Sequence, residues 1–441
     1  MADQTYERDD EMLEARRLRR MELKRKRMIR NRLILGGAAL VLILLIVLLA
    51  RGCGKKEETV PEPEVPAVAN PVNKPEPAES KPAETTKATL SAVGDIMVYA
   101  SQVEDAKKED GSYDFLPSLA SVSTLLTASD VTVGNFEANF AGEPYEGFPN
   151  FSAPPSLADT LASLGFDVLQ TANTYSIQDG LTGLAGTINT IRNAGMDTVG
   201  TYLSADDKAE HQVVIKEANG IKIAFIAFTK SVNNMTVPPG SEYAVDLLCT
   251  DYDTTYSSLD REAITAAVTS AKAKNPDVIV AMLHWGSEFE SGISTLQEDA
   301  AKLLIDNGVD VILGSHPHIV GKMEFRDVKV GGKDKRVFIA YSLGNFLVGN
   351  ERGQANNAPG SFESVILNLE FTKENGKTSI TGCNYVPLYI MDNGEEAINR
   401  YQVRSVYDVL DNSPDDETKT KMENAIAHIK EDTESEFDRG N

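Results

Sequence analysis

Residues 33–50, LILGGAALVLILLIVLLA, form eighteen consecutive positions without a charged or polar side chain. A helical run of that length approaches the ~30 Å of a bilayer's hydrocarbon core, which leaves a membrane span or an all-apolar core helix. Helices of a globular domain carry an apolar stripe, not an apolar circumference, and here Arg32 and Arg51 bound the run. The sequence therefore predicts one transmembrane helix. The span also divides the charge: residues 1–32 hold eleven Lys/Arg against seven Asp/Glu, a net +4, so a chain of formal net charge −23 carries −27 beyond them. Ten of those basic residues lie between 16 and 32, whereas the far flank offers only Arg51, Lys55 and Lys56. That asymmetry predicts a cytoplasmic N-terminus and an extracellular main domain. An uncleaved signal anchor is favoured over a cleaved signal peptide, whose apolar region is normally about 7–15 residues. Arg51, two positions before Cys53, also fits a lipoprotein cleavage box poorly.

After the span, residues 51–87 contain seven prolines among Glu, Lys, Thr and Ala. Such a segment buries too little to fold, and extended polyproline II at ~3.1 Å per residue makes it a spacer. The predicted organisation is thus a basic tail (1–32), an anchor (33–50), a Pro-rich linker (51–87), a folded body (88–392) and an acidic C-terminal extension (393–441) ending in a solvated helix and a frayed tail. Cys53, Cys249 and Cys383 have unrelated spacings, so no zinc ribbon or disulfide framework is read from them. The acidic balance excludes nucleic acid as a partner, since phosphate binding needs a basic surface.

Within the body, short β-branched runs alternate with amphipathic stretches. Strands are expected at residues 89–93, 130–133, 167–170, 221–228, 278–283, 309–313 and 337–341, and helices at 157–164, 184–193, 260–274 and 296–307. Several strands are apolar on both faces, as in a sheet covered on both sides, and the alternation argues an α/β fold with a large parallel component.

Ligands of open α/β sheets bind beyond the carboxyl ends of the strands. Just there stand Gly94-Asp95, Gly134-Asn135-Phe136-Glu137, Ala172-Asn173, His284-Trp285-Gly286, His316-Pro317-His318 and Ser342-Leu343-Gly344-Asn345, with three of the chain's five histidines and its single tryptophan. Any one of these alone reads as a turn or a satisfied core group. Together, the imidazoles of His284, His316 and His318, the carboxylates of Asp95 and Glu137 and the amide oxygen of Asn173 make a mixed N/O donor set. Such a set suits one or two divalent ions of Mn, Zn or Fe.

These motifs, with His284-Trp285-Gly286-Ser287-Glu288-Phe289 and the run over residues 308–318, resemble in order and approximate spacing those of the CapA family of bacterial poly-γ-glutamate capsule synthesis proteins. The resemblance covers residues 91–387. It implies a metallophosphoesterase-like (calcineurin-like) layered sheet–helix domain, with a divalent metal at Asp95, Glu137, His284, His316 and His318. It also implies that Trp285, Glu288, Ser342 and Asn345 line the cleft, and it makes Asn135 and Tyr175 the candidate catalytic residues. One motif departs. Where the family has Ala-Asn-Asn-His and then Asp-x-Gly, this chain has Ala172-Asn173-Thr174-Tyr175, then Asp179 and Gly180. A tyrosine, with a pKa near 10, donates a proton but does not serve as a cation, and losing a general acid costs about 10²–10⁴ in rate.

What the resemblance implies is a membrane-anchored protein of capsule or surface-polymer biosynthesis or export. Its partners would be the cytoplasmic membrane, membrane polymer-synthesis proteins and an anionic surface polymer. A metal-dependent phosphoesterase or hydrolase outside the membrane is the alternative, and a non-catalytic wall-facing binding or scaffold protein the third. A strongly acidic body repels a polyanion within a Debye length of about 8–10 Å, so handling one requires a local basic group or bridging divalent cations.

Overall fold

The computed structural model of the chain describes residues 85–349, 358 and 360–433. The predicted basic tail, the apolar span and all but the last three residues of the Pro-rich linker lie outside them. Among the described residues, no helix is long and apolar enough to cross a membrane.

In chain order the strands are β1 (Thr85–Ile96), β2 (Val131–Phe136), β3 (Val168–Gln170), β4 (Asp197–Val199), β5 (Val214–Ala218), β6 (Ile221–Thr229) and β7 (Val278–His284). They continue as β8 (Val311–Ser315), β9 (Met323–Val330), β10 (Lys333–Ala340), β11 (Asn345–Leu347), β12 (Glu363–Glu374), β13 (Lys377–Asp392) and β14 (Tyr401–Ser405). One sheet has the order β14-β13-β12-β1-β2-β3-β4, with β11 beside the end of β1; the other has the order β5-β6-β7-β8-β10-β9. Strands β1 to β4 are mutually parallel, as are β6, β7, β8 and β10. Antiparallel strands close three of the four edges, and the parallel strand β4 forms the other.

The two sheets pack face to face, and alternation along each strand supplies both of its faces. In β6, Ile223, Phe225 and Ala227 point into the shared core with Leu90, Val131, Val280 and Val311. Ala224, Ile226 and Phe228 point the other way, onto the helices Arg261–Ala273 and Thr295–Asp306. The first of these helices presents Ile264, Ala267, Val268 and Ala271 at helical spacing, and the Asp260 carboxylate caps its start by accepting from Ala263 N. The second begins in a capping box of Ser294 and Gln297, an arrangement worth about 1 kcal/mol. On the far side, the helix Ser156–Ser163 and part of Gly180–Asn193 cover the outer face of the first sheet. The result is helix, sheet, sheet, helix, and it accounts for strands that are apolar on both faces.

Residues 401–433 are more integrated than an acidic, solvated extension. Strand β14 extends the first sheet by pairing with β13, and Tyr401 and Val403 enter its outer core. Helix Asp416–Asp432 buries one stripe, Met422, Ala425 and Ile429, and leaves its charges outside. The charge count conceals this because a three-residue stripe suffices to dock a helix whose remaining faces are acidic. Cys249 and Cys383 lie in different core regions and are not joined.

If β14 is an integral edge strand, Tyr401→Ala in the segment 82–441 lowers the unfolding free energy by about 3 kcal/mol. Urea denaturation would measure this, and a loss below about 1 kcal/mol would make the strand peripheral.

Candidate metal centre

The carboxyl ends of β1, β2, β6, β7 and β8 meet at one place, and each delivers a polar side chain there. Strand β1 slips register between Ala92 and Asp95. Gly94 stands in the slip, where an added Cβ would lie 1.8 Å from Gly344 O, so only glycine permits the approach. Asp95 N then donates to Gly344 O at 2.9 Å, and Asn345 pairs with Asp95. The Asp95 carboxylate is fully buried. It accepts from Asn135 Nδ2 at 2.7 Å and from His316 N at 3.3 Å, and one oxygen lies 3.0 Å from His318 Nδ1.

On β2, the Asn135 amide also donates to Glu137 Oε2 at 3.1 Å, fixing the two carboxylates relative to one another. Glu137 Oε1 is 3.0 Å from His284 Nε2. The other nitrogen of His284 meets Thr229 Oγ1 of β6 at 3.3 Å. Asn173 stands behind this pair: its Nδ2 donates to Phe136 O at 2.6 Å, and its Oδ1 accepts from Tyr175 N at 3.1 Å.

His316 and His318 occupy the turn after β8 with φ of +93° and +60°. Such conformations cost about 1–3 kcal/mol per non-glycine residue and persist where the surroundings enforce them. Here Asn345 does part of that work, since its Oδ1 is 3.0 Å from His318 Nδ1 and its Nδ2 donates to His318 O and Ser361 O. Phe289 N donates to Pro317 O at 2.8 Å, which brings the loop carrying Glu288 against the histidine turn.

Three sets of donors result: Glu137, His284 and His316; Asp95, Glu137 and His318; and Glu288, His316 and His318. Within each set, one ligand atom per residue lies within 4.8 Å of the others. The buried Nε2 of His318 has no hydrogen-bond partner among the described residues. Oxygen and imidazole donors converging on such an atom fit a divalent metal, which when bound supplies Lewis acidity and an acidified water. The electrostatics agree. Burial works against charge on Glu137, yet the imidazoles of His284 and His318 outweigh it and hold the carboxyl below its ordinary range. Burial likewise opposes the His318 cation, but Glu137 and Asp95 raise it to about 9.

The structure therefore brings together Asp95, Asn135, Glu137, His284, His316, His318 and Asn345, with Asn173 behind them. It also draws in Glu288, expected only to line the cleft. Other residues go elsewhere. Trp285 is fully buried, stacked on Tyr341 at 5.5 Å and donating from Nε1 to Tyr341 O at 3.0 Å. It follows His284 in sequence, and alternation sends it to the outer core of the second sheet and not to the cleft. Ser342 Oγ donates to Ile319 O at 2.6 Å and so ties down a turn. The Tyr175 ring is buried 4.5 Å from Phe151 in the outer core of the first sheet, while its backbone N–H meets Asn173. One neighbouring residue escaped the sequence reading. Lys230 directly follows β6, the one predicted strand ending in the cluster whose following polar residue was passed over. Burial pushes its pKa down, against the opposing pull of Glu288.

Residues 89–350 match the family described as "Bacterial capsule synthesis protein PGA_cap". The chain is 28% identical over 279 residues to the capsule biosynthesis protein CapA of Bacillus anthracis, covering 61% of this chain and 62% of that one. It is 28% identical over 271 residues to the PGA biosynthesis protein CapA of Bacillus subtilis (strain 168), covering 59% and 63%. It thus spans a little under two thirds of the length of the curated relatives it matches. Solved structures with some likeness include a phosphatase of Mycoplasma pneumoniae, at 12% identity and a TM-score of 0.43, covering 69% of this chain and 95% of that one. Another is the calcineurin-like phosphoesterase YfkN of Bacillus subtilis, at 16% identity and a TM-score of 0.38, covering 78% and 100%. Both are distant.

The raised His318 has a consequence for the metal-free protein. Its folded pKa lies above the ordinary 6.5, so the stability it contributes is complete below about pH 6.5 and is lost as the pH rises through about 9. Urea unfolding in chelator should show wild type losing its advantage over His318→Asn across that interval. A constant difference from pH 6 to 10 would contradict the assignment.

Proposed function

The chain belongs to the bacterial capsule synthesis protein family, and from that premise we infer that it is a membrane-anchored protein acting outside the cytoplasmic membrane. There it takes part in making or exporting an anionic surface polymer of the poly-γ-glutamate type, with a divalent metal centre as its working site. The observation that carries this reading is the convergence of buried Asp95, Glu137, His284, His316 and His318 at the carboxyl ends of both sheets. Burying two carboxylates together is costly unless cations or hydrogen bonds compensate them. Here the compensation comes from groups that are themselves metal donors.

The apolar run at 33–50 and its basic cytoplasmic flank support the anchored, outward-facing arrangement, and the Pro-rich linker suits a body held away from the membrane. The polymer and the body are both acidic, and a divalent ion is the simplest bridge between carboxylates of like charge. In this scheme Asp95, Glu137 and the three imidazoles hold the metal. Asn135 keeps the carboxylates apart, Asn345 orients His318, and Thr229 orients His284.

A second reading, metal-dependent hydrolysis of a phosphoester outside the membrane, is favoured by one detail. The three donor sets overlap, Glu137, His316 and His318 each belonging to two of them, so the cluster offers donors enough for more than one ion. Turnover of p-nitrophenyl phosphate by the Mn²⁺- or Zn²⁺-loaded protein would support this reading. Metal-loaded protein without turnover would leave the polymer role.

For the main reading, elemental analysis of the purified full chain should find at least one divalent metal per molecule, and His284→Ala or His316→Ala should remove most of it. The same variants should fail to restore surface polymer to cells lacking the protein. A metal-free variant that restores polymer fully would sink the proposal.

A further inference from the structure

Lys230 is the group near the centre that neither reading yet uses. Its backbone N–H donates to His284 O at 2.9 Å, and the preceding Thr229 turns its hydroxyl toward the His284 ring. The lysine side chain instead runs toward the loop after β7. There its ammonium donates to Gly286 O and lies 5.7 Å from the centre of the Tyr256 ring. It is therefore held from two sides, by a carbonyl and by an aromatic face, at the mouth of the strands that carry the metal donors.

An ammonium has three N–H donors. Among the described residues, Gly286 O is the hydrogen-bond acceptor of this one. Glu288, Glu290 and Glu137 act on it from farther away. Part-exposed and held on Gly286 O, the ammonium keeps donors for water or for an oxyanion that displaces it. A metal at the centre would take up the charge of Glu137 and Glu288, leaving the ammonium's charge for an incoming anion.

Resting on the reading of this cluster as a metal centre, we propose that Lys230 receives the oxyanion of the substrate, a phosphoryl or carboxylate group seated beside the metal donors. The lysine also answers how a chain carrying −27 beyond residue 32 holds an acidic ligand: one cation is kept beside the strands that carry the metal donors. A purely structural role, tethering the loop at Gly286, requires only a hydrogen-bond donor, whereas receiving an oxyanion requires the charge.

The test uses the full chain loaded with Mn²⁺, as wild type, Lys230→Gln and Lys230→Arg. Metal content is measured in each, alongside calorimetric titration with inorganic phosphate and with a short γ-linked glutamate oligomer. The expected result is unchanged metal in all three and binding of at least one probe weakened about 10- to 100-fold in Lys230→Gln, the worth of a charge-assisted hydrogen bond. Lys230→Arg should restore most of that binding, and wild-type affinity should fall with added salt. Whichever probe loses more identifies the anion as ester phosphate or polymer carboxylate. Equal binding by metal-loaded wild type and Lys230→Gln would overturn the inference, as would a Lys230→Gln protein that loses its metal, which would make the lysine a loop tether. Wild type without metal would overturn the reading of the centre itself, a result distinct from either.

Discussion

The Asp95 carboxylate holds the two sheets' contributions in one place. It sits at the end of β1 and takes a hydrogen bond from Asn135 of β2. From the opposite sheet, the turn after β8 brings the His316 N–H and the His318 ring against it. An anion without solvent has to be compensated locally, and the compensating groups come from two segments, one in each sheet. The strained backbone at His316 and His318 follows from this: the turn bends so that an N–H and an imidazole reach the same carboxylate. Gly94 is required one residue earlier, since the strand must pass against Gly344 to bring Asp95 to that point.

Much of the scaffold was legible in the sequence because the parallel strands are buried on both faces. All seven predicted strands and all four predicted helices overlap observed ones. What escaped were the antiparallel strands β5, β9, β12, β13 and β14, with the three-residue parallel strands β4 and β11. Strand β13 contains Pro387, which weighs against a strand, and β14 lies in a charged stretch whose apolar positions alternate too briefly to stand out. The metal donors were legible for a different reason: histidine is scarce in this chain, and three of the five stand just after strands. Glu288 was harder to place, because its role depends on a loop returning to the strand ends, and no periodicity encodes that return; Lys230, directly after β6, carries the same signal as the donors. Trp285 was misplaced by proximity to His284. Consecutive residues at a strand end face opposite ways, so one meets the centre and the next the core.

The charge distribution takes on a different meaning beside this geometry. Nearly all of the body's acidity is dispersed, and its effect on a polyanion in salt is short-ranged. Within the centre, carboxylates and imidazoles are set within a few ångströms of one another, with the Lys230 ammonium held nearby on Gly286 O, and there the dielectric is lower and each charge counts for more. Attraction at the centre and repulsion elsewhere would admit one anionic group and discourage the rest of a chain from lying along the surface.

Trp285, the chain's single tryptophan, is stacked on Tyr341 with its indole nitrogen hydrogen-bonded and follows directly after His284. The molecule thus carries its own optical reporter. All of its indole emission arises from one rigid, solvent-free position covalently next to the centre. A redox-active or paramagnetic ion bound there would quench that emission with no other tryptophan to dilute the signal, so occupancy of the centre can be followed by light in the unlabelled protein.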